Sequence, residues 1–442
     1  MKRNHLLFER RFAPFFATQF LGAFNDNVFK NAVMILLAYQ GADAALAQGL
    51  DPNLLIQLCA ALFILPFLLF SALAGQLADK LEKTRVIRAV KLLEIAIMVI
   101  GGYGLVRQNF ILMFAAVFLL GLHSTLFGPI KYAILPQTLR EDELLRGNGL
   151  VEMGTFVAIL LGEVLGGALI GLQPSGPLLV AGAATAFAVL GYLVARAIPP
   201  AAANAPDLEL AFAPLRETRR ILALARTNPR VWLSLLGASW FWFYGAVLIS
   251  QFPGLTRQLL GGNEQVVTVL LAVFSLGVGL GSVLCERFSH GRVDTSLAPY
   301  GALGLALFGF DFAYALPAAA PHAALLDAAS WLASPGAGRI LGDLFLLGFS
   351  GGVFIVPLYA VMQKDSDPHA TARVIAANNV MNAVFMIASA LWCALLLKTL
   401  GLRELLGLTV ALHLGFCLYL LSRLSAERKA HVLSCLHQPI NK

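Results

Sequence analysis

Long apolar runs separated by short charged or turn-forming stretches dominate the chain, and within each run apolar residues occupy every helical face. A helix rising 1.5 Å per residue needs about 20 such residues to cross a ~30 Å hydrocarbon core. About twelve spans are predicted, near 12–39, 53–78, 86–106, 110–135, 148–171, 177–198, 230–256, 266–286, 295–316, 338–362, 373–397 and 403–424. The pattern specifies an all-α polytopic membrane protein.

Basic residues fall in alternate connections. One set holds Lys2, Arg3, Arg10 and Arg11, then Lys80, Lys83, Arg85 and Arg88, Arg140 and Arg146, and Arg216 to Arg230; it continues with Arg287 and Arg292, Lys364, and Arg428 and Lys429. The stretches 40–52, 172–176 and 317–337 contain no Lys or Arg. The positive-inside rule then places both termini in the cytoplasm, as an even number of spans requires.

The longest charged connection, 199–229, starts Pro/Ala-rich and turns basic, which reads as a linker followed by a surface amphipathic helix. It separates an N-terminal half (1–198) from a C-terminal half with a short tail (230–442). The stretch 317–337 is too interrupted to span and is expected to form a short interfacial helix carrying Trp331 on the outer face. The halves resemble each other. Gly121, Phe127, Tyr132 and Ala133 recur at one offset as Gly348, Phe354, Tyr359 and Ala360. Asn148 aligns with Asn378, and Phe20, Gly22 and Ala23 align with Phe243, Gly245 and Ala246. Duplicated six-span halves mark transporters whose site lies between the repeats near the midplane.

The polar residues inside the runs are the candidate site. An ionisable group at mid-bilayer costs ~3 kcal/mol or more, so it faces protein or a watered cavity. Span one carries Asn25, Asp26 and Asn27 near its centre, with Lys30 one turn on. These residues either pair at i,i+4 to hold the helix in its bundle or line a cavity. In the repeat alignment Lys131 faces Leu358, Glu152 faces Asn382 and Asp26 faces Ile249. A cavity with one charged wall and one apolar or amide wall suits an amphipathic substrate. Lys131 and Glu152 also fit a buried bridge between spans four and five. Glu163 is a secondary candidate. Trp240, Phe241 and Trp242 are read as lipid-facing or packing residues, and Gly162, Gly166 and Gly167 as sites of close helix approach.

A hydrophobic share of 58%, charged residues at 13% and mean hydropathy +0.76 exclude an ordinary soluble protein. The net charge of +7 belongs to the connections, so it does not indicate nucleic acid. The Met-Lys-Arg start lacks a following cleavage site and leads into a run too long for a signal peptide. Cys59, Cys285, Cys393, Cys417 and Cys435 are scattered, so packing is expected rather than disulfides or metal ligation; no cofactor is expected.

The loop after span two, Gly75-Gln-Leu-Ala-Asp79-Lys-Leu-Glu-Lys-Thr-Arg85, resembles the G-x-L-A-D-[RK]-x-G-[RK]-[RK] motif of the major facilitator superfamily, with Glu82 in place of the usual glycine. A degenerate copy follows span eight, from Cys285-Glu286-Arg287 to Gly291-Arg292. The resemblance implies a gating loop built on Gly75, Asp79 and Arg85, with Asp79 meeting a helix terminus. Within that superfamily, QFLGAFNDNVFKNA, GPIKYAILPQ and RGNGLVE resemble helix motifs of the bacterial lysophospholipid transporter family. Ser239 to Pro253 is similar to the transporter half of acyltransferase-fused members, and some members of the family carry an arginine near the position of Gln251.

That resemblance implies a major facilitator fold with two six-helix halves in a bacterial inner membrane. It also implies flipping of lysophosphatidylethanolamine-type lipids from the outer to the inner leaflet, where an acyltransferase restores the second chain. Asp26, Lys131 and Glu152 match motif positions and are the expected polar site. Lys131 would meet phosphate and an acid would meet ammonium, with Asn25, Asn27, Asn148 and Lys30 as further contacts. Two other classes compete. His322 and Asp327 satisfy the H-x-x-x-x-D spacing of glycerolipid acyltransferases, but they fall in an outer-face segment far from cytoplasmic acyl donors. A proton-coupled exporter of drugs or metabolites on the same fold would use Asp26 and Glu152 as a relay.

Overall fold

The structure is a computed structural model that describes residues 6–37, 52–172, 174–289, 293–317 and 325–436. His322, Gly291, Arg292, Lys2, Arg3 and nearly all of the connection 40–52 lie outside the described residues. Thirteen helices carry the architecture: α1 (Ala13–Ile35), α2 (Pro52–Lys80), α3 (Lys83–Val106), α4 (Phe110–Ala133), α5 (Leu144–Ile170), α6 (Gly176–Ala195), α7 (Pro214–Arg226), α8 (Pro229–Leu255), α9 (Glu264–Phe288), α10 (Ala298–Ala315), α11 (Ala337–Asp365), α12 (Thr371–Leu396) and α13 (Leu402–Leu436). All but the amphipathic α7 are membrane spans, twelve in two six-helix halves. Ten of them have helical windows apolar enough to cross a bilayer by composition alone. The exceptions are α1, diluted by Asn25 to Asn27 and Lys30, and α10, which contains Asp311.

Helix contacts repeat between the halves. In the first, α1 packs on α5 and α6, α2 on α4, and α3 on α4 and α6. In the second, α8 packs on α12 and α13, α9 on α11, and α10 on α11 and α13. Small residues set the closest approaches. A Cβ on Gly162 would strike the Phe24 carbonyl, and one on Gly166 the Val28 carbonyl, so α5 lies against the α1 backbone there. Gly167 is looser, with Ile35 Cδ1 3.3 Å from an added Cβ.

Two seams join the halves, α2 against α12 and α5 against α9. At the end bearing the basic connections, Asp79 caps the start of α12. Its carboxylate accepts from the Ala372 and Arg373 amides (3.1 and 3.2 Å) and from Arg373 Nε (3.0 Å). A Cβ on Gly75 would lie 2.7 Å from Ala376 Cβ, so this turn of α2 packs directly on α12. Across the pseudo-twofold, Glu286 meets Arg146 at 3.7 Å, and a Cβ on Gly149 would strike the Ser282 carbonyl. These equivalent contacts relate Arg146 to Arg373 and Gly149 to Ala376 at the same offset as Tyr132 to Tyr359. The expected pairing of Asn148 with Asn378 is therefore three residues out of register, and Glu152 corresponds to Asn379. Arg85 does not join the seam. It is 82% exposed and pairs with Glu82 at 2.6 Å, whereas Arg373 supplies the cation that Asp79 contacts.

The connection between the halves runs extended over 199–213 along the α2–α12 seam before entering α7. Its backbone is pinned at many points. The Asn204 and Ala205 amides donate to the Asp79 carbonyl (2.9 and 2.8 Å), Gln76 pairs with Ala211, and Lys80 Nζ donates to the Leu208 carbonyl (2.7 Å). The Asn204 side chain receives Lys83 Nζ (2.7 Å) and donates to the Pro368 carbonyl (2.6 Å). A stretch that reads as a tether is a strap fixed to both halves. The segment before α11 also differs from expectation. A one-turn helix, Ala328–Leu332, forms, but Trp331 is buried in the core of the second half instead of lying at an interface. Asp327 is its N-cap, accepting from the Ser330 amide at 2.8 Å, which gives this acid a structural partner.

Candidate functional site

Helices α1 and α4 run antiparallel along one cavity, and their facing polar residues build its first wall. The cavity measures about 320 Å³ and lies between the halves. From the first half it receives Gln19, Asp26, Asn27, Lys30, Lys91, His123, Ser124, Lys131, Tyr132 and Thr155. Trp242, Tyr359, Asn379, Asn382, Ala383 and Met386 form the opposite wall. The charged side chains lining it all come from the first half, and the second contributes aromatic, amide and apolar groups.

The polar residues stand at successive levels. Gln19 and Asp26 are two helical turns apart on α1, as are Ser124 and Lys131 on α4, so each pair is separated by roughly 10 Å along the axis. At the deeper level Lys131 Nζ donates to Thr155 Oγ1 (2.7 Å), and Thr155 donates to Gln19 Oε1 (3.2 Å). Higher up, Asp26 accepts from Ser124 Oγ at 2.6 Å while its second oxygen has no hydrogen-bond partner among the described residues. Above that, Lys30 donates to Asn27 Oδ1 at 2.9 Å and stands 5.1 Å from the Phe63 ring centre. The alternative i,i+4 pairing of Asp26 with Lys30 does not form among the described residues, because each is claimed by another partner.

Behind Asp26 lies a buried ionic cluster that sequence reasoning missed. Lys91 and Glu94 of α3 form a fully buried ion pair, His123 Nε2 stands 3.3 Å from the Glu94 carboxylate, and His123 Nδ1 stands 3.9 Å from Asp26. Asn25 closes the cluster by donating to Glu94 Oε1 at 2.8 Å. The Lys91 side chain reaches it past two glycines: an added Cβ on Gly22 would sit 3.1 Å from its Nζ, and one on Gly191 2.9 Å from its Cε. The readable signal was the same one that singled out Asp26, an acid and two bases inside apolar runs. Lys91 lies inside the span expected over 86–106, three residues beyond Arg88 of the basic loop.

The expected site residues therefore divide into two layers. Asp26, Asn27, Lys30 and Lys131 line the cavity. Asn25, Asn148 and Glu152 do not reach it. Asn25 turns to Glu94. Asn148 exchanges amide hydrogen bonds with Gln363 (2.7 and 2.9 Å) across the halves, and Glu152 accepts from the Tyr132 hydroxyl behind the wall. No direct Lys131–Glu152 bridge forms among the described contacts; Tyr132 and Thr155 stand in its place. Glu163 sits outside the cavity wall, and its backbone carbonyl accepts from Asn31. Trp242 departs from the packing role expected of it and lines the cavity, whereas Trp240 and Phe241 are buried in the second half. Gln251 bonds to Ser250 away from the cavity.

The cavity floor is the pseudo-twofold axis itself. Tyr132 and its repeat counterpart Tyr359 stack with ring centres 4.3 Å apart and planes 4° from parallel. Tyr359 is held by Trp242 Nε1 (3.3 Å) and Asn378 Nδ2 (3.4 Å). Below this floor, the seam contacts and strap described above close the basic end. Among the described residues, the hydrogen bonds and ion pairs that join the halves cluster there.

Comparison with known proteins agrees with this architecture. The profile of the Major Facilitator Superfamily matches residues 15–391. A protein named lysophospholipid transporter LplT from Cronobacter sakazakii is 30% identical over 370 residues, 82% of each chain. Its namesake from Citrobacter koseri is 29% identical over 412 residues, 90% of each. Among solved structures, the human organic anion transporter MFSD10 superposes with a TM-score of 0.72 at 18% identity, covering 93% of this chain and 99% of that one. A bacterial homologue of the iron transporter ferroportin, in an outward-facing state, gives 0.70 at 14% identity over 93% and 99%. At these identities the structures speak for the fold alone. With twelve spans in two repeated halves, a cavity between them and a profile match over most of its length, the chain is a multi-pass membrane transporter that belongs to the major facilitator superfamily and, within it, to the family of the lysophospholipid transporters.

Proposed function

We propose that the protein carries lysophospholipids of the lysophosphatidylethanolamine type from the outer to the inner leaflet of a bacterial inner membrane by alternating access. The observation that carries this reading is a cavity whose charged side chains all come from the first half and stand beside apolar lining from both halves. Lys131, as a point charge, meets the head-group phosphate. The Asp26 carboxylate, which lines the cavity, takes the ammonium. The acyl chain lies against Phe63, Ile64, Phe67 and Met386, where burial contributes ~0.8 kcal/mol per methylene. Asn25 and Glu94 hold the cluster behind Asp26, and Glu152 orients Tyr132, so these residues act through the lining groups.

In this reading both termini are cytoplasmic and the closed basic end faces the cytoplasm, so the structure corresponds to a state open to the outer leaflet. The halves 1–198 and 230–442 rock about the floor, with Gly75 and Asp79 forming the inner gate and the connection 199–229 crossing it. A cytoplasmic acyltransferase consumes the delivered lipid. The names of the LplT relatives and the sequence motifs support this assignment.

The test is uptake of labelled lysophosphatidylethanolamine into spheroplasts, at matched expression, for wild type, Lys131→Ala and Asp26→Ala. Loss of at least tenfold in either variant is expected. Absence of uptake by well-folded wild type would sink the reading. A second reading, proton-coupled export, is favoured by one observation: His123 lies between Asp26 and Glu94, three titratable groups in contact. Under it, a protonophore abolishes transport and His123→Gln uncouples it, whereas downhill lipid flipping survives both.

A further inference from the structure

The helix α7 presents a combination that neither water nor protein accounts for. Its inward face, with Ile221 and Ala225, is buried against α2 and α12. On the opposite side, Phe212 is 66% and Leu215 79% exposed, beside Arg216 and Arg220 with side chains 75% and 70% exposed. Phe212 continues a row of apolar surface through its stack on Phe70 of α2, 6.2 Å between ring centres. The helix's one acid, Glu217, is buried and offers its carboxylate to Arg216 (3.2 Å) and Arg220 (3.7 Å). Arg219 has no ion-pair partner among the described residues, so the face keeps an excess of positive charge.

Exposed apolar side chains flanking arginines that outnumber their one acid describe a helix lying at head-group level, its apolar residues in the acyl boundary and its cations at the phosphates. We propose that Leu210, Phe212, Leu215, Arg216, Arg219 and Arg220 form a binding surface for anionic phospholipid of the leaflet on the basic side. The guanidinium groups take the phosphodiester, and one acyl chain follows Phe212 and Phe70 down α2. An acidic protein would satisfy the arginines and leave Phe212 and Leu215 in water, so lipid is the occupant that fits the whole face. Since α7 packs on α2 of one half and α12 of the other, a lipid seated here lies across the seam that Asp79 and Arg373 close. The proposal rests on the membrane-spanning fold and not on the identity of the transported substrate.

The experiment uses the full-length protein in nanodiscs of phosphatidylethanolamine containing a minor fraction of phosphatidylglycerol, and native mass spectrometry counts the phosphatidylglycerol retained after release. Near a membrane surface each arginine is worth about 1 kcal/mol, so retention falls by about fivefold for each one removed in R216Q, R216Q/R219Q and the triple variant with R220Q. A charge-matched control, R107Q/R257Q, which alters the opposite end, leaves retention unchanged. All of these arginines are exposed, and a single monodisperse peak confirms folding. Equal retention by the folded triple variant and wild type overturns the proposal, as does an equal loss in the control. Because the readout contains no lysophospholipid, its outcome is independent of the uptake assay.

Discussion

Lys91 and Glu94 illustrate how much one buried pair constrains a membrane helix. Both are removed from solvent, and His123 and Asn25 satisfy the remaining carboxylate capacity. Removing one partner leaves a lone charge in a low-dielectric interior, a loss of about 3–5 kcal/mol, whereas replacing both with apolar groups of similar volume is far milder. Lys91→Met is therefore expected to lower the melting temperature in detergent sharply, and Lys91→Met/Glu94→Leu to recover part of it. A single variant that melts like wild type would remove the pair from the stabilising network. At this scale Asp26 and Lys131 were legible because they stand alone in apolar runs. Lys91 was hidden by its nearness to a basic loop. Trp242 and Trp240 could not be told apart, since two residues on a helix apolar all round face different ways and only the packing of α8 decides which meets the cavity.

The helices show where close packing replaces a hydrophobic driving force, which lipid does not supply between apolar surfaces. Gly162 and Gly166 lie under the α1 carbonyls of Phe24 and Val28, and α1 carries half the charged wall. Gly166→Leu must push α5 away from backbone that cannot yield, so a cost above ~3 kcal/mol is expected, with loss of folded protein in size-exclusion profiles. Gly167→Ala, facing only the movable tip of Ile35, should be tolerated within ~1 kcal/mol in the same assay. The existence and order of the spans were legible because length and apolarity alone define ten of them, while α1 and α10 fall short only through the polar residues they carry. The register of the repeat at α5 and α12 was not, because Asn148 and Asn378 match as letters while the seam contacts equate Arg146 with Arg373.

Across the whole molecule, the connection between the halves bears on the inner gate proposed above. Sequence alone reads Pro199 to Ala213 as a tether, because its attachments are made by backbone carbonyls and amides that no residue type announces. Asn204 receives Lys83 and donates to Pro368, and the Asp79 carbonyl takes two amides from the same stretch. At ~0.5–1.5 kcal/mol per hydrogen bond, Asn204→Ala weakens the closed gate by roughly 1–3 kcal/mol. Spin labels placed at the basic ends of α2 and α12 should then report a larger fraction of widely separated pairs. Distances unchanged from wild type would reduce the strap to a passive connection.

The strap has only one copy, although the gate it crosses has two. A duplicated protein joined end to end possesses a single join, and here it bolts α2 to α12 while its twin doorway, between α5 and α9, carries no such crossbar among the described residues. Nearly symmetric walls are thereby made unequal by the accident of covalent continuity. A cargo slipping sideways toward the leaflet beneath would find one exit barred and the other held by side-chain pairs, Arg146 with Glu286 and Asn148 with Gln363.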